Sequence, residues 1–404
     1  MFSLSVIGVA DEILSSANKT ILAGCSHVFA TPRLQKYVHE LPLKIHDISP
    51  VQQAIDEIKT LLNETNVAIL ASGDPLYYGI GKKLLLEFPA EAIAFYPAVS
   101  SIQRACALFK THWDDATIIS LHGRNSQHLS GLILQHPKCI LLTDKDNSPN
   151  IICQKLQDYL QLVEADKKSD EITVMVAENI GLDDQRLFTG NLKDAAREKF
   201  SPLNVMFIKT QVSDAKRYPA YFGLTEDEVV HSRGLITKSE VRAATVHQLR
   251  LPQTGILWDV GAGSGSISIE AARSHPDLTI FAIEHKEEEI ANIKANIVKF
   301  GCYNIIPIFG KAPEILDDLP RPDRIFVGGS SGTLPALTKI ADRVLPKNGR
   351  MVINGVIEKT IQEAPELLAR FDFTIESTTI QVSRNDSTNK KVTFNPITIT
   401  TGSR

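Results

Sequence analysis

Ile256-Leu257-Trp258-Asp259-Val260-Gly261-Ala262-Gly263-Ser264-Gly265 is the stretch that decides the fold of the second half of this chain. An apolar run of strand formers ends on an acid, three glycines follow at alternate positions, and a helical pattern starts at Ser266. Glycines there permit positive φ and let the backbone approach a ligand closely. The helix N-terminus behind them offers unpaired N–H groups and the positive end of the dipole. Nineteen residues after Gly265, at the end of the next apolar run, Glu284 is placed to hold a ribose diol. The same pattern also describes a strand–turn–helix whose glycines serve packing alone.

Working outward, β-rich runs alternate with amphipathic stretches along the whole sequence, which predicts α/β layers. In the second half the expected order is helix 238–249, strand 256–260, helix 266–274, strand 278–284, helix 287–300, strands 305–308 and 324–327, helix 334–344 and strand 350–354. Residues 374–382 and 391–400 read as an antiparallel pair closing one sheet edge. In the first half, runs 4–9, 67–71, 92–96, 116–121, 139–143, 172–177 and 205–209 read as strands, with helices at 51–63, 79–88, 100–109 and 149–160. The charge-rich, Pro- and Gly-containing segment 211–228 breaks the alternation. The expected division is therefore 1–212, a linker at 213–230, and 231–404.

A chain of 404 residues exceeds one average core, so two or three units are expected. Hydrophobic residues at 43% and charged residues at 22% exclude disordered, collagen-like and coiled-coil classes. Lys+Arg and Asp+Glu number 20 and 24 in residues 1–212 and 23 and 23 in residues 213–404. Neither half has the basic excess of a duplex-binding surface, so no nucleic-acid partner is expected. Five cysteines without close pairs argue against a disulfide framework or a CxxC metal knuckle. The eleven histidines show no paired ligand spacing, so no metal is expected. The apolar start Leu4–Val9 lacks preceding Lys or Arg and reads as a buried strand, and the longest uncharged stretch, 325–338, is too short to span a bilayer. A cytoplasmic protein with no membrane partner is expected.

Asp259-x-Gly261-x-Gly263-x-Gly265 is not the G-x-G-x-x-G of dinucleotide-binding folds. It resembles the S-adenosyl-L-methionine motif of Rossmann-like methyltransferases, with an NAD(P)-dependent oxidoreductase as the second reading. With Gly234–Arg242, Gly310-Lys311-Ala312-Pro313 and Pro322–Gly332, residues from about 220 onward resemble the decarboxylating carbon-15 methyltransferases of cobalamin biosynthesis. That resemblance implies cofactor contacts from Thr237, Gly261, Ala262, Gly263, Ser264, Gly265, Glu284 and Ala312. Thr237 also reads as a plain helix N-cap with Glu240 as its capping-box partner.

The first half carries Ala71-Ser72-Gly73-Asp74-Pro75 after a strand, then Tyr96–Gln103, Ser120–Arg124, Leu142-Thr143-Asp144 and Ala177-Glu178-Asn179. A Gly-Asp-Pro turn presents the Asp74 carboxylate at a strand's C-terminal edge, where α/β sheets bind ligands. In order and spacing these segments resemble the tetrapyrrole methylases. The resemblance implies a two-subdomain tetrapyrrole-methylase fold for residues 1–212, with Gly8, Asp74 and Ser100 as cofactor contacts. The family's usual Gly-x-Gly-Pro-Gly loop is replaced by Gly8-Val9-Ala10-Asp11-Glu12, and Ala98 stands where glycine is usual. Together the halves resemble the fused precorrin-6Y C(5,15)-methyltransferase family, which implies S-adenosyl-L-methionine as cofactor, S-adenosyl-L-homocysteine as product, a tetrapyrrole substrate and a homo-oligomer. A remodelled first loop leaves open a first half that only binds the tetrapyrrole.

Methyl transfer from a sulfonium is an in-line displacement that depends mainly on positioning. A polycarboxylate substrate calls for cations at the pocket mouths, and Arg suits carboxylates best. The candidates are Arg104 and Arg124 in the first half, and Arg233, Lys238, Arg242 and Arg384 in the second. His122, beside Gly123-Arg124, is a candidate proton-transfer group, with Arg124 as a second catalytic candidate. Decarboxylation needs only the electron sink of the macrocycle and is assigned no residue.

Overall fold

The computed structural model describes residues 2–10, 14–121, 128–210, 223–232, 236–330, 332–385 and 391–404. Three large α/β sheets and a short two-stranded ribbon carry the chain. The first sheet is wholly parallel, in the order Lys44–Asp47, His27–Ala30, Val67–Ser72, Leu4–Val9, Ile93–Tyr96. Its internal strand Leu4–Val9 is buried along its whole length, as expected for a strand covered on both faces. The second sheet is mixed, in the order Thr117–Ser120, Lys138–Leu142, Asn204–Thr210, Ile172–Glu178, Arg186–Asn191. Helix Ser101–Leu108 links the two sheets and buries Ile102, Ala105 and Cys106 against Ile140, Met175 and Phe207 of the second.

The third sheet runs Ile305–Phe309, Leu278–Glu284, Gly255–Val260, Arg324–Val327, Arg350–Gly355, then antiparallel Ile397–Ser403 and Thr374–Ile380. Strand order reverses beside Gly255–Val260, which opens a crevice at the carboxyl ends of the strands. Helix Glu287–Phe300 shows why its bounds were readable. Ile290, Ile293, Asn296 and Ile297 are buried at helical spacing, three glutamates occupy the first turn, Lys299 the last, and Gly301 terminates it at φ 67°.

The short strands His27–Ala30 and Lys44–Asp47 were not expected, because His27, Lys44, His46 and Asp47 break the apolar signal of a four-residue run. Helix Glu358–Ala369 was missed because Pro365 lies inside it. The C-terminal pairing was half right. Thr374–Ile380 pairs with Ile397–Ser403, but Lys391–Thr393 forms a separate ribbon with Ser383–Asn385. Ile397–Ser403 is inserted between Arg350–Gly355 and Thr374–Ile380, so the last strand in sequence is internal to the sheet.

The two halves share a buried seam, with helices Leu129–Leu134 and Pro149–Leu162 packed against residues 302–305. Tyr159 donates its hydroxyl to the Ile305 carbonyl at 2.7 Å. The His128 Nε2 lies 2.6 Å from the Tyr303 carbonyl, and burial pushes this imidazole down to about 4, so it is neutral and donates. A Cβ at Gly131 would sit 2.3 Å from the same Tyr303 oxygen, so only glycine admits this approach.

Candidate active sites at two strand-end crevices

In the second half, Gly261, Gly263 and Gly265 all have positive φ, at 70°, 54° and 76°, as the alternate glycines predicted. Gly261 is further constrained by Gly329 at the switch point, where a Cβ would lie 2.5 Å from the Gly329 carbonyl oxygen. The Gly261 and Ala262 amides both donate to the Ile283 carbonyl. Glu284 accepts from the Gly263 amide at 3.0 Å and from the His285 and Lys286 amides, while its own carbonyl takes the Gly310 amide. Gly261, Glu284 and Ala312 line one crevice with His285, Lys311 and Ser330. Ser264 is buried, and its carbonyl accepts from Asn296 on the neighbouring helix.

The sequence marks Asp259 as the acid of the motif and not as a site residue. It is fully buried beneath the glycine loop, with one carboxylate oxygen accepting from the Ser268 hydroxyl at 2.6 Å. Its Oδ1 has no partner among the described residues. Burial, helped by the nearby Glu284 charge, pushes this carboxyl up to about 7. Its place two residues before Gly261 was the available signal.

Among the candidate cations of the second half, Arg242 sits elsewhere than the sequence suggested. Arg242 was expected at a pocket mouth; it is 1% exposed. Its guanidinium is committed to Glu270 at 3.1 Å, to the Thr237 carbonyl at 3.0 Å and to the Leu224 carbonyl, where it ties residues 223–229 to the helix. Arg384 pairs with Glu226 and Glu240, and its ion pair holds the Glu226 carboxyl at about 2. The Lys238 ammonium lies over the Phe394 ring. Thr237 does not cap its helix: the N-cap is Lys238, without a side-chain bond, and the capping box nearby is Thr225 with Glu228. Arg233 lies outside the described residues.

The first sheet builds a second crevice at its own strand ends. A Cβ at Gly8 would meet the Gly73 carbonyl oxygen at 2.0 Å and the Ala98 amide at 2.6 Å, so three strand ends converge on a residue without a side chain. Asp74 turns back on its own loop and accepts from the Leu76 amide at 2.9 Å. Ser100 caps helix Ser101–Leu108 in a reciprocal box with Gln103. Val9, Ser72, Ser101, Arg104, Thr143 and Asn204 line the cleft, whereas Gly8, Asp74 and Ser100 are not among its lining residues. The cavity of about 170 Å³ lies between the first and second sheets. His122 and Arg124 lie outside the described residues. His112, Asp114 and Asp115 form an exposed cluster within metal-binding reach of one another. The Lys138 ammonium already occupies Asp115 at 2.6 Å.

Residues 5–196 match the family of tetrapyrrole (corrin/porphyrin) methylases, and residues 228–401 match the precorrin methyltransferase domain family. A precorrin-6Y C(5,15)-methyltransferase (decarboxylating) from Sinorhizobium sp is 30% identical over 87% of this chain and 84% of its own length. The chain belongs to that family. A probable cobalt-precorrin-6B C(15)-methyltransferase (decarboxylating) from Pyrobaculum calidifontis is 35% identical over 44% of this chain and 94% of its own. A solved precorrin-6Y C5,15-methyltransferase structure from Geobacter metallireducens is 38% identical, covers 46% of this chain and 98% of its own, and superposes with a TM-score of 0.45. Membership in the precorrin-6Y C(5,15)-methyltransferase family makes the chain a C-methyltransferase and removes the NAD(P)-dependent reading. No helix among the described residues is long and apolar enough to cross a membrane.

Proposed function

We propose that the chain carries two methyl-transfer centres, both using S-adenosyl-L-methionine, which act on precorrin-6B or its cobalt form. The cleft of residues 1–212 methylates carbon 5. The crevice of residues 231–404 methylates carbon 15 and accompanies loss of an acetate carboxylate, and 213–230 links the two. The observation that carries this reading is the presence of two separate strand-end crevices in one chain, each closed by a glycine that tolerates no Cβ. In the second, Glu284 is placed for the ribose diol, the glycine loop for the amino-acid end and Ala312 for the wall. The cofactor supplies the electrophilic methyl; the protein aligns the macrocycle carbon with it and excludes water. We further propose a homo-oligomer in the cytoplasm.

The test is calorimetric titration of the intact chain with S-adenosyl-L-homocysteine, counting sites. Two sites, one lost in Gly263→Asp, support two centres. One site, absent in Gly263→Asp, leaves the first half as a tetrapyrrole-holding partner, the reading that the Gly8-Val9-Ala10 loop keeps open. No binding at all overturns the cofactor assignment.

A further inference from the structure

Among the described residues that line the first-half cleft, only two carry a charge, and both are arginines: Arg33 and Arg104. They reach it from different elements. Arg33 stands on the short helix Pro32–Gln35, at the carboxyl end of strand His27–Ala30 in the first sheet. Arg104 belongs to helix Ser101–Leu108, which packs on the second sheet.

Arg104 is seated rather than free to swing. Its Nη1 donates to the Ala10 carbonyl at 2.5 Å, at the exit of strand Leu4–Val9 of the first sheet. Its other side rests on Gly181, where a Cβ would lie 2.3 Å from Nη2 and about 3 Å from Nη1 and Cζ. Gly181 has φ 80°, so the turn after strand Ile172–Glu178 both needs a glycine and leaves the guanidinium its place. The remaining N–H groups of Arg104 and the whole guanidinium of Arg33 have no carboxylate partner among the described residues. Other arginines among the described residues are neutralised by acids: Arg242 by Glu270, Arg384 by Glu226 and Glu240, Arg186 by Glu178. A cavity whose described walls hold two arginines without a carboxylate partner, and no acid, is built for an anion, because each guanidinium offers a planar fork of donors matched to a carboxylate.

We propose that Arg33 and Arg104 form a two-sided carboxylate grip across the first-half cleft, with Arg104 as the fixed jaw and Arg33 as the outer one. This rests on the reading of that cleft as a methyl-transfer site and adds what selects its ligand. Two sources supply carboxylates there, the acid arms of the macrocycle and the α-carboxylate of the methyl donor. The exposed place of Arg33, on a short helix at the rim of the cleft, suits the acid arms.

The experiment uses the full chain and the variants Arg33→Gln, Arg33→Lys and Arg104→Gln, each checked for an unchanged melting temperature. Fluorescence titration with uroporphyrin, a porphyrin bearing eight carboxylates, is paired with calorimetry of S-adenosyl-L-homocysteine. The expected result is at least a tenfold loss of uroporphyrin affinity in Arg33→Gln, partial recovery in Arg33→Lys, and unchanged S-adenosyl-L-homocysteine binding. Weakened S-adenosyl-L-homocysteine binding with unchanged uroporphyrin binding keeps the grip and assigns it to the donor's carboxylate. Unchanged binding of both overturns the grip. Wild-type chain that binds uroporphyrin through Arg33 yet never methylates carbon 5 sinks the proposed activity of this half and leaves the grip standing.

Discussion

Glu284 and Gly263 are joined: the carboxylate of the first accepts the amide of the second at 3.0 Å, across the mouth of the second-half crevice. The acid that would hold a ribose and the loop that would wrap the cofactor's other end are therefore one unit. Glu284→Gln removes the charge and one of the two acceptors that serve Gly263, His285 and Lys286. S-adenosyl-L-homocysteine affinity at this site should fall roughly tenfold to a hundredfold, the scale of a lost charged hydrogen bond. Calorimetry on the intact chain reads this, with binding in the first half as internal control.

Gly261 and Gly263 separate two reasons for glycine. Both have left-handed φ, which costs an alanine about 1–2 kcal/mol. Only at 261 does the new methyl also strike backbone, the Gly329 carbonyl; at 263 it enters open space. Gly263→Ala should lose only that backbone cost, while Gly261→Ala should lose more and also lose carbon-15 methylation. Denaturant unfolding of the two variants, with product analysis, checks the order.

Asp259 gives the second half an unusual pH response. Its carboxyl is raised from 3.8 to about 7 in the folded chain, so the native state keeps a proton that the unfolded chain releases. Stability from this group is thus greatest at low pH, declines as pH rises from about 4 to about 7, and then levels off. Asp259→Asn keeps the acceptor for Ser268 and has no such slope. The stability difference between variant and parent should grow across that window in favour of the variant, as thermal unfolding at a series of pH values would show.

Arg242 and Arg384 were both candidate substrate ligands, and the fold assigns them to different work. Removing Arg242 leaves Glu270 and the Leu224 carbonyl buried without it. Arg242→Ala should cost about 3–5 kcal/mol, as for a broken buried ion pair. Arg384→Ala, in a pair network that remains partly exposed, should cost about 1 kcal/mol or less near neutral pH. Glu226, lowered from 4.5 to about 2 by Arg384, adds stability above its ordinary value that is lost as pH falls toward 2. Arg384→Ala should flatten that acid limb. Equal losses at neutral pH in the two variants would contradict the assignment.

Tyr159 tests the seam. Tyr159→Phe keeps the ring packing but leaves the Ile305 carbonyl without its donor in a buried contact. A loss of about 1–3 kcal/mol is expected, the cost of an unmet buried polar group, read by urea unfolding of the full chain.

The sequence by itself determined the elements where several local signals agree. Strand 255–260, its glycine turn and helix 266–274 were legible because apolar run, acid, glycines and helical period all point one way. The placement of Glu284 opposite that loop followed from the length of one helix and one strand. Polar four-residue strands such as Lys44–Asp47 were not legible, since such edge strands are fixed by pairing rather than by their own composition.

Only the tertiary structure decided which charges face a cavity. Charge is a property of a residue, whereas exposure depends on what packs beside it, so Arg242 and Arg33 could not be told apart by sequence alone. Glu270, 28 residues from Arg242, buries the first, and the first-half cleft leaves the second open. The same holds for Gly131 and Gly181, whose missing side chains admit Tyr303 from the other half and Arg104 from another helix. Local pattern fixes local conformation; the fit between distant surfaces depends on coordinates that no single stretch of the chain encodes.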